Sequence, residues 1–200
     1  MRRRMMMNKS MPYDAEIEFL EGTGTQWIDT GIVPTINTEA RVKWSPVRTN
    51  EGGFFGARDN YTSGRFCCTT FNVGSRFTFA MTQGNWLTQS VSLTLQAIYD
   101  CTAKNGACSV NGEVYTTPAL STFNSEKSFL FFKQDSNVQT YYAKMRLYAA
   151  HIIENGHKVI DLIPVRVGTT GYMYDKVSGK LFGNAGTEQF ILGPDKMGGG

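Results

Sequence analysis

Apolar and polar residues alternate along most of this chain, and glycine-containing or polar segments interrupt the alternation at short intervals. That rhythm predicts half-buried strands joined by tight turns. At residues 38–44, Ala40, Val42 and Trp44 fall on one face and Glu39, Arg41 and Lys43 on the other. Further strands are predicted at 13–19, at 25–32, from Phe54-Phe55 onward, at 66–73 and at 76–81, where Phe77, Phe79 and Met81 alternate. Gly84-Asn85-Trp86 closes that meander. Leu93, Leu95, Ala97 and Tyr99 share one parity, and the continuous apolar run 128–133 (SFLFFK) reads as a fully buried strand. No helix-period stretch exceeds about two turns.

The turns are as informative as the strands. Asn111-Gly112 and Asn155-Gly156 each supply the two positive φ angles of a type I′ hairpin. The apolar runs on either side of 154–157 therefore fold back on each other. A second pair, GYMYDKV and KLFGNAG, flanks Ser178-Gly179, with Asp175 expected to cap the bend and Gly179 to take its left-handed position. Between the pairs stands Pro164, which lacks an N–H and is expected to mark a strand start or an unpaired edge. GTQWIDTG from Gly24 is loosely echoed by GTEQFILG from Gly186, which predicts terminal strands lying close together in one sheet.

These motifs carry a family resemblance. RLYAAHIIENGHKVIDLIPVR, GYMYDKVSGKLFGNAGT and, near the other end, YDAEIEFLEGTGTQWIDTGI resemble laminin G-like (LamG) domains of bacteriophage and gut-bacterial genomes. The match brackets residues 13–190. It implies an all-β fold, a concanavalin A-like jelly-roll sandwich of two antiparallel sheets, whose relatives include lectins, glucanases and structural modules. The expected division is a flexible N-terminal arm at 1–12, a jelly-roll domain at 13–193 and a flexible tail at 194–200.

Composition agrees with one β-rich domain. Two hundred residues with 41% hydrophobic content fill one core, and only 18% are charged. The net charge of +3 is partly supplied by Arg2, Arg3 and Arg4, so the body lacks the basic excess that nucleic acid demands. The start, MRRRMMMNKSMP, is too short in its apolar part for a secretion signal, and no run suggests a membrane span. The expectation is a protein assembled in the host cytoplasm into a virion. Arg2, Arg3, Arg4, Met5, Met6 and Met7 are either a solvated terminus or an attachment arm, with arginines for acidic groups and methionines for an irregular groove.

Candidate chemistry is sparse. Glu16, Glu18 and Glu21 lack the central aspartate of the ExDxE pattern of jelly-roll glucanases and read as a solvent-facing strand edge. His151 and His157 have no nucleophile motif beside them, so no enzyme is predicted. Asp29, Asp59, Asp135 and Asp175 form no contiguous calcium loop, the cysteines form no CxxC, and neither metal nor cofactor is expected. Cys67 and Cys68, being adjacent, point to opposite faces of a strand. If 103–106 form a loop, Cys101 and Cys108 face each other, where a disulfide or packed thiols both fit; the expected cytoplasmic assembly favours thiols. Trp27 and Trp44 read as core. Arg58, Asn60, Tyr61, Asn85 and Trp86 fall in predicted loops and form the candidate ligand site, with rings to stack on a sugar and polar groups for its hydroxyls. The sequon Asn60-Tyr61-Thr62 has no meaning without secretion.

The functional expectation is a non-enzymatic structural or adhesion module of a phage virion, as capsid decoration, fibre or tail component. Its partners would be other virion proteins and a host surface glycan, with no nucleic acid and no membrane. Edge strands of a sandwich need cover, which predicts a homo-oligomer or repeated subunit. The alternative is a carbohydrate-binding module at a bacterial cell surface.

Overall fold

A computed structural model describes residues 11–48, 52–59, 64–70, 77–82, 87–88, 91–116, 118–135 and 140–197. Among them the first strands are β1 (Ala15–Glu16), β2 (Leu20–Gly22), β3 (Ile28–Asp29), β4 (Thr38–Pro46), β5 (Gly52–Arg58), β6 (Arg65–Thr70), β7 (Phe77–Thr82) and β8 (Leu87–Thr88). They are followed by β9 (Tyr99–Lys104), β10 (Ala107–Val110), β11 (Glu113–Thr116), β12 (Leu130–Phe131), β13 (Lys133–Asp135) and β14 (Thr140–Tyr142). The last are β15 (Met145–Glu154), β16 (His157–Val167), β17 (Thr170–Asp175), β18 (Leu181–Phe182) and β19 (Ile191–Leu192). All pairings among them are antiparallel, and no described residue is helical.

The larger sheet runs β11-β10-β9-β4-β15-β16-β17-β18, with β1, β2 and β19 attached. The smaller runs β3-β12-β5-β6-β7-β8, and β13-β14 forms a separate hairpin. Trp44 of β4 links the two sheets, its ring 4.1 Å from that of Phe54 on β5. The Tyr99 ring lies 5.7 Å from that of Trp44, and Phe66, Phe79, Phe129 and Phe131 belong to the same buried cluster. Such aromatic rings supply much of the apolar area that holds two sheets face to face.

The predicted turns form. Asn155 and Gly156 adopt φ of 50° and 78°, and Asn111 and Gly112 adopt 50° and 85°. Pro164, in contrast, stands within β16 rather than at its start. Its carbonyl accepts from the Ile17 amide, and in an antiparallel strand a residue's N and O point to the same neighbour. The missing N–H therefore faces β1, next to where β16 changes partners from β15, paired as far as Leu162, to β1 at Val165. The proline forgoes the one reciprocal bond to β1, at a point where the ladder already passes from one partner to the next.

That change of partner is caused by the β1–β2 segment, which enters between the lower halves of β15 and β16. β1 pairs with β16, and β2 pairs with Met145 to Leu147 of β15. On its other side β2 takes β19, while Glu18 and Lys196 donate their amides to Pro194 and Glu16. Backbone pairing thus runs on through Lys196. The echoing motifs meet: the Trp27 carbonyl accepts from the Ala185 amide, the Trp27 amide donates to the Asn184 side chain, the Thr187 amide donates to the Thr25 carbonyl, and buried Gln26 binds the amides of Thr23 and Thr25 and the carbonyl of Gln189. Gly186 is required by this closeness, because a Cβ there would stand 2.0 Å from the Thr25 carbonyl oxygen.

Other expectations change. The 25–32 segment is a strand only at Ile28–Asp29, since before it the Trp27 amide and the carbonyls of Thr25 and Trp27 bond the loop 184–187. The 93–99 parity fails because the chain turns at Gln96 (φ 63°), leaving Leu95 half-exposed, and only Tyr99 enters a strand. The run 128–133 is buried as expected but broken at Phe132, whose φ of 67° turns its ring onto Phe190. Two bonds hold this strained residue: its amide donates to Phe54 and its carbonyl accepts from Ala143.

All four cysteines are buried free thiols. Cys68 joins the inter-sheet core, and Cys67 points the other way, as adjacency required. The hairpin loop is Asn105-Gly106, so Cys108 lies opposite Ala103 and Cys101 opposite Val110. Trp44 Nε1 donates to Cys101 Sγ at 3.2 Å, and burial pushes the Cys101 thiol up to about 12.

Asp175 is fully buried and caps its turn as expected. Its oxygens accept from the amides of Asp161, Val177 and Ser178 and from the Ser178 hydroxyl. Burial pushes its carboxyl up, but these bonds, Ser178 foremost, outweigh it and hold the pKa below 3.8. Asp175→Ala is expected to destabilise the fold by about 2–3 kcal/mol in denaturant titration. Because the folded pKa is depressed, the wild-type advantage is present above pH 3.8 and fades as pH falls through the folded value.

Candidate functional site

Of the predicted ligand residues, Asn60, Tyr61, Asn85 and Trp86 lie outside the described residues, as do Arg2, Arg3, Arg4, Met5, Met6 and Met7. Arg58 is described, and its expected loop position is corrected. It ends β5, in direct register with Arg65 of β6, and both are about 1% exposed. The polar stretch ARDNYTSGR at 57–65 has the composition of a single loop. Strand pairing reaches two residues further in from one side and one from the other.

Arg58 and Arg65 lie on the face of the smaller sheet opposite the core, together with Cys67. The β13–β14 hairpin packs on this region. Gln134 donates to the Cys68 carbonyl at 2.9 Å, and the Arg58 guanidinium lies 5.5 Å from the centre of the Tyr141 ring. Burial pushes the Cys67 thiol up to about 11 against the pull of the two arginines, so it is a poor nucleophile near neutral pH. A glycosidase would need two facing carboxylates, and here the register pairs two guanidiniums.

The glutamates considered for catalysis sit on the other sheet. Glu21 holds Arg146 at 2.6 Å, and Glu16 accepts from Tyr13 at 3.3 Å and meets Lys196 at 3.7 Å. Glu18 is exposed. The aspartates are engaged as well: Asp29 binds the Gly31 amide, Asp135 binds Lys133 and Thr140, and Asp59 gathers Ser125 and the amides of Glu126 and Lys127. Among the described residues no three His, Cys, Asp or Glu side chains gather to hold a metal ion. No helix among them is long and apolar enough to cross a membrane.

A cleft of about 220 Å³ opens elsewhere, where β15 begins. Gly24, Arg48, Gly52, Phe54, Tyr142 and Lys144 line it. Phe54 is part of the core and Tyr142 is 39% exposed, so the cleft has an apolar floor and an aromatic wall. The wall is held in place: Lys133 sits 5.6 Å from the Tyr142 ring centre and 4.3 Å from that of Trp27, and pairs with Asp135 at 2.9 Å. Sequence reasoning missed this site because 24, 48, 52 and 144 are scattered through the chain. The one local signal was glycine at 24 and 52.

His151, on β15, lies 3.1 Å from Asp161 of β16, which also binds Lys158 and Lys176. Burial, then Lys158, lowers its pKa below 6.5 despite the attraction of Asp161. No serine or cysteine joins the pair in the described ladder, where the neighbours of His151 are Arg41 and Asp161. NMR titration is expected to place the His151 midpoint below 6.5, and lower still in Asp161→Asn, which removes the group that raises it. A folded imidazole depressed in this way gives stability that is present above pH 6.5 and declines as pH falls below it.

No protein-family model matches the chain, and no curated protein does. Among solved structures, the native heptameric SAP-like pentraxin of Limulus polyphemus is similar, with a TM-score of 0.54 and 11% identity over 92% of this chain and 96% of that one. At that identity the likeness speaks for the fold alone. The chain is an all-β protein, a concanavalin A-like jelly-roll sandwich of two antiparallel sheets.

Proposed function

We propose that this protein is a non-enzymatic structural or adhesion module of a bacteriophage virion, serving as capsid decoration, fibre or tail component and attached through its N-terminal arm. The observation that carries the non-enzymatic reading is the Arg58–Arg65 register pair on the face of the smaller sheet away from the core, in place of the facing carboxylates a glycosidase needs. The LamG-like motifs support the phage assignment by resemblance.

The geometry of the ends supports attachment at one place. Asp14 donates its amide to Arg166 and Lys196 donates to Glu16, so the chain on either side of the paired body leaves from neighbouring positions. An arm there can bind a lattice while the rest of the surface stays clear. The pentraxin of like fold is heptameric, and a repeated subunit is part of this proposal. A carbohydrate-binding module at a bacterial surface is the second reading, favoured by the aromatic-walled cleft beside Tyr142.

The test is a pull-down with the full-length chain and with a version lacking residues 1–11, from cells producing the neighbouring gene products. Capsid or tail proteins are expected with the full-length chain alone. Recovery of such partners by neither form, or equally by both, contradicts attachment through the arm.

A further inference from the structure

We propose that β11 is a docking edge for a second copy of this chain, the two strands pairing antiparallel about a two-fold axis so that the larger sheets of both copies join into one. The pairing rests on the repeated-subunit part of the reading above and gives that part a surface.

Four strands end the two sheets: β11 and β18 the larger, β3 and β8 the smaller. β3, β8 and β18 have two described residues each, too few to template another chain, whereas β11 has four, in regular register with β10 and without a bulge. Its sequence, EVYT, carries neither the lysine nor the proline that commonly blunts an edge. Val114 is 63% exposed, more than any other large apolar side chain in a described strand.

The turn fixes which backbone groups face outward. Asn111-Gly112 is a two-residue loop, so Val110 and Glu113 exchange both bonds, and by the alternation of an antiparallel ladder Tyr115 does the same with Cys108. The amides and carbonyls of Val114 and Thr116 therefore point away from β10. None of these four groups has a partner among the described residues.

A second copy satisfies them in one register. With the axis at Tyr115, Val114 of each chain meets Thr116 of the other, and all the outward groups of both strands pair in four backbone bonds. Moving the axis to Val114 sets Thr116 against Gly112, which lies in the turn at φ 85°. Moving it to Thr116 sets Val114 against Pro118, which has no N–H. Charge selects the same arrangement: Glu113 is the one residue of β11 charged at neutral pH, and it falls opposite residue 117, a threonine, instead of its own copy. Side chains agree as well, since the axial pair is tyrosine with tyrosine at a close, non-hydrogen-bonded position and Val114 lies across from Thr116. An unrelated strand has no such built-in match. A copy supplies it by symmetry.

A four-residue strand falls short of the roughly 1,200–2,000 Å² of stable interfaces, so the expected dimer is weak, with a dissociation constant of roughly 100 µM. Sedimentation equilibrium of the full-length protein from roughly 10 µM to 1 mM is expected to show monomer passing to dimer. Over the same range hydrogen exchange at the amides of Val114 and Thr116 is expected to slow by about fivefold, the factor by which free edges are depleted. Val114→Pro removes an outward N–H but no bond to β10, and it is expected to weaken the dimer by about tenfold or more with far-UV circular dichroism unchanged. Val114→Lys is expected to do the same by charging the edge, whereas Val177→Lys, at an exposed valine elsewhere, leaves the dimer intact. Should Val114→Pro lose its fold, Val114→Lys and the wild-type exchange decide the matter. Monomer throughout the range, a dimer of equal strength in the Val114 variants, or an oligomer whose Val114 and Thr116 amides stay unprotected overturns the proposal. Attachment through the arm is read separately, by the pull-down.

Discussion

Along one edge β15 serves two partners: β16 pairs with it from Ala150 to Glu154, and β2 from Met145 to Leu147. The strand cannot do both unless something holds β15 and β16 apart below Ala150. The β1–β2 segment does so, with the C-terminal β19 closing over it. A one-residue slip of β2 would turn buried Leu20 outward and carry Glu21 away from Arg146, so the register is set by burial and by charge together. Gln26 and Gly186 then fix the approach of the two chain ends. The first and last segments fold as one unit although they are separated by most of the chain.

The same closure positions the cleft. Gly22 is the last residue of β2, and Gly24 stands two residues on at the mouth; Lys144 immediately precedes β15. Phe132 fills the space behind, where a Cβ on Gly22 would meet its ring at 2.7 Å. Its positive φ redirects the chain from the smaller sheet into the β13–β14 hairpin, which carries Tyr142 to the cleft wall and Tyr141 over Arg58. Strain at one residue therefore serves both faces of that hairpin.

Local features were legible in the sequence. Asn-Gly turns, the Asp175 cap and the alternation of 38–44 depend on neighbours a few residues away, and each forms where the sequence put it. Features set by distant partners were not. Pro164 stands mid-strand where β16 passes from β15 to β1, and Phe132 breaks a uniform apolar run where its ring meets Phe190 and Gly22. Arg58 looked like a loop residue because composition carries no record of which strand will pair with it. Of the cleft, glycine at 24 and 52 was visible, but no spacing joined them to Lys144.

Native-state hydrogen exchange tests the terminal closure most directly, because it reads the opening free energy of each amide. If the chain ends lock the larger sheet, the amides of Ile17, Glu18, Gly193 and Lys196 exchange at the same opening free energy as those of β15 and respond equally to denaturant. Exchange of these four by local fraying, while the β15 amides stay protected, would show that the sheet stands without its terminal segments and would contradict the account.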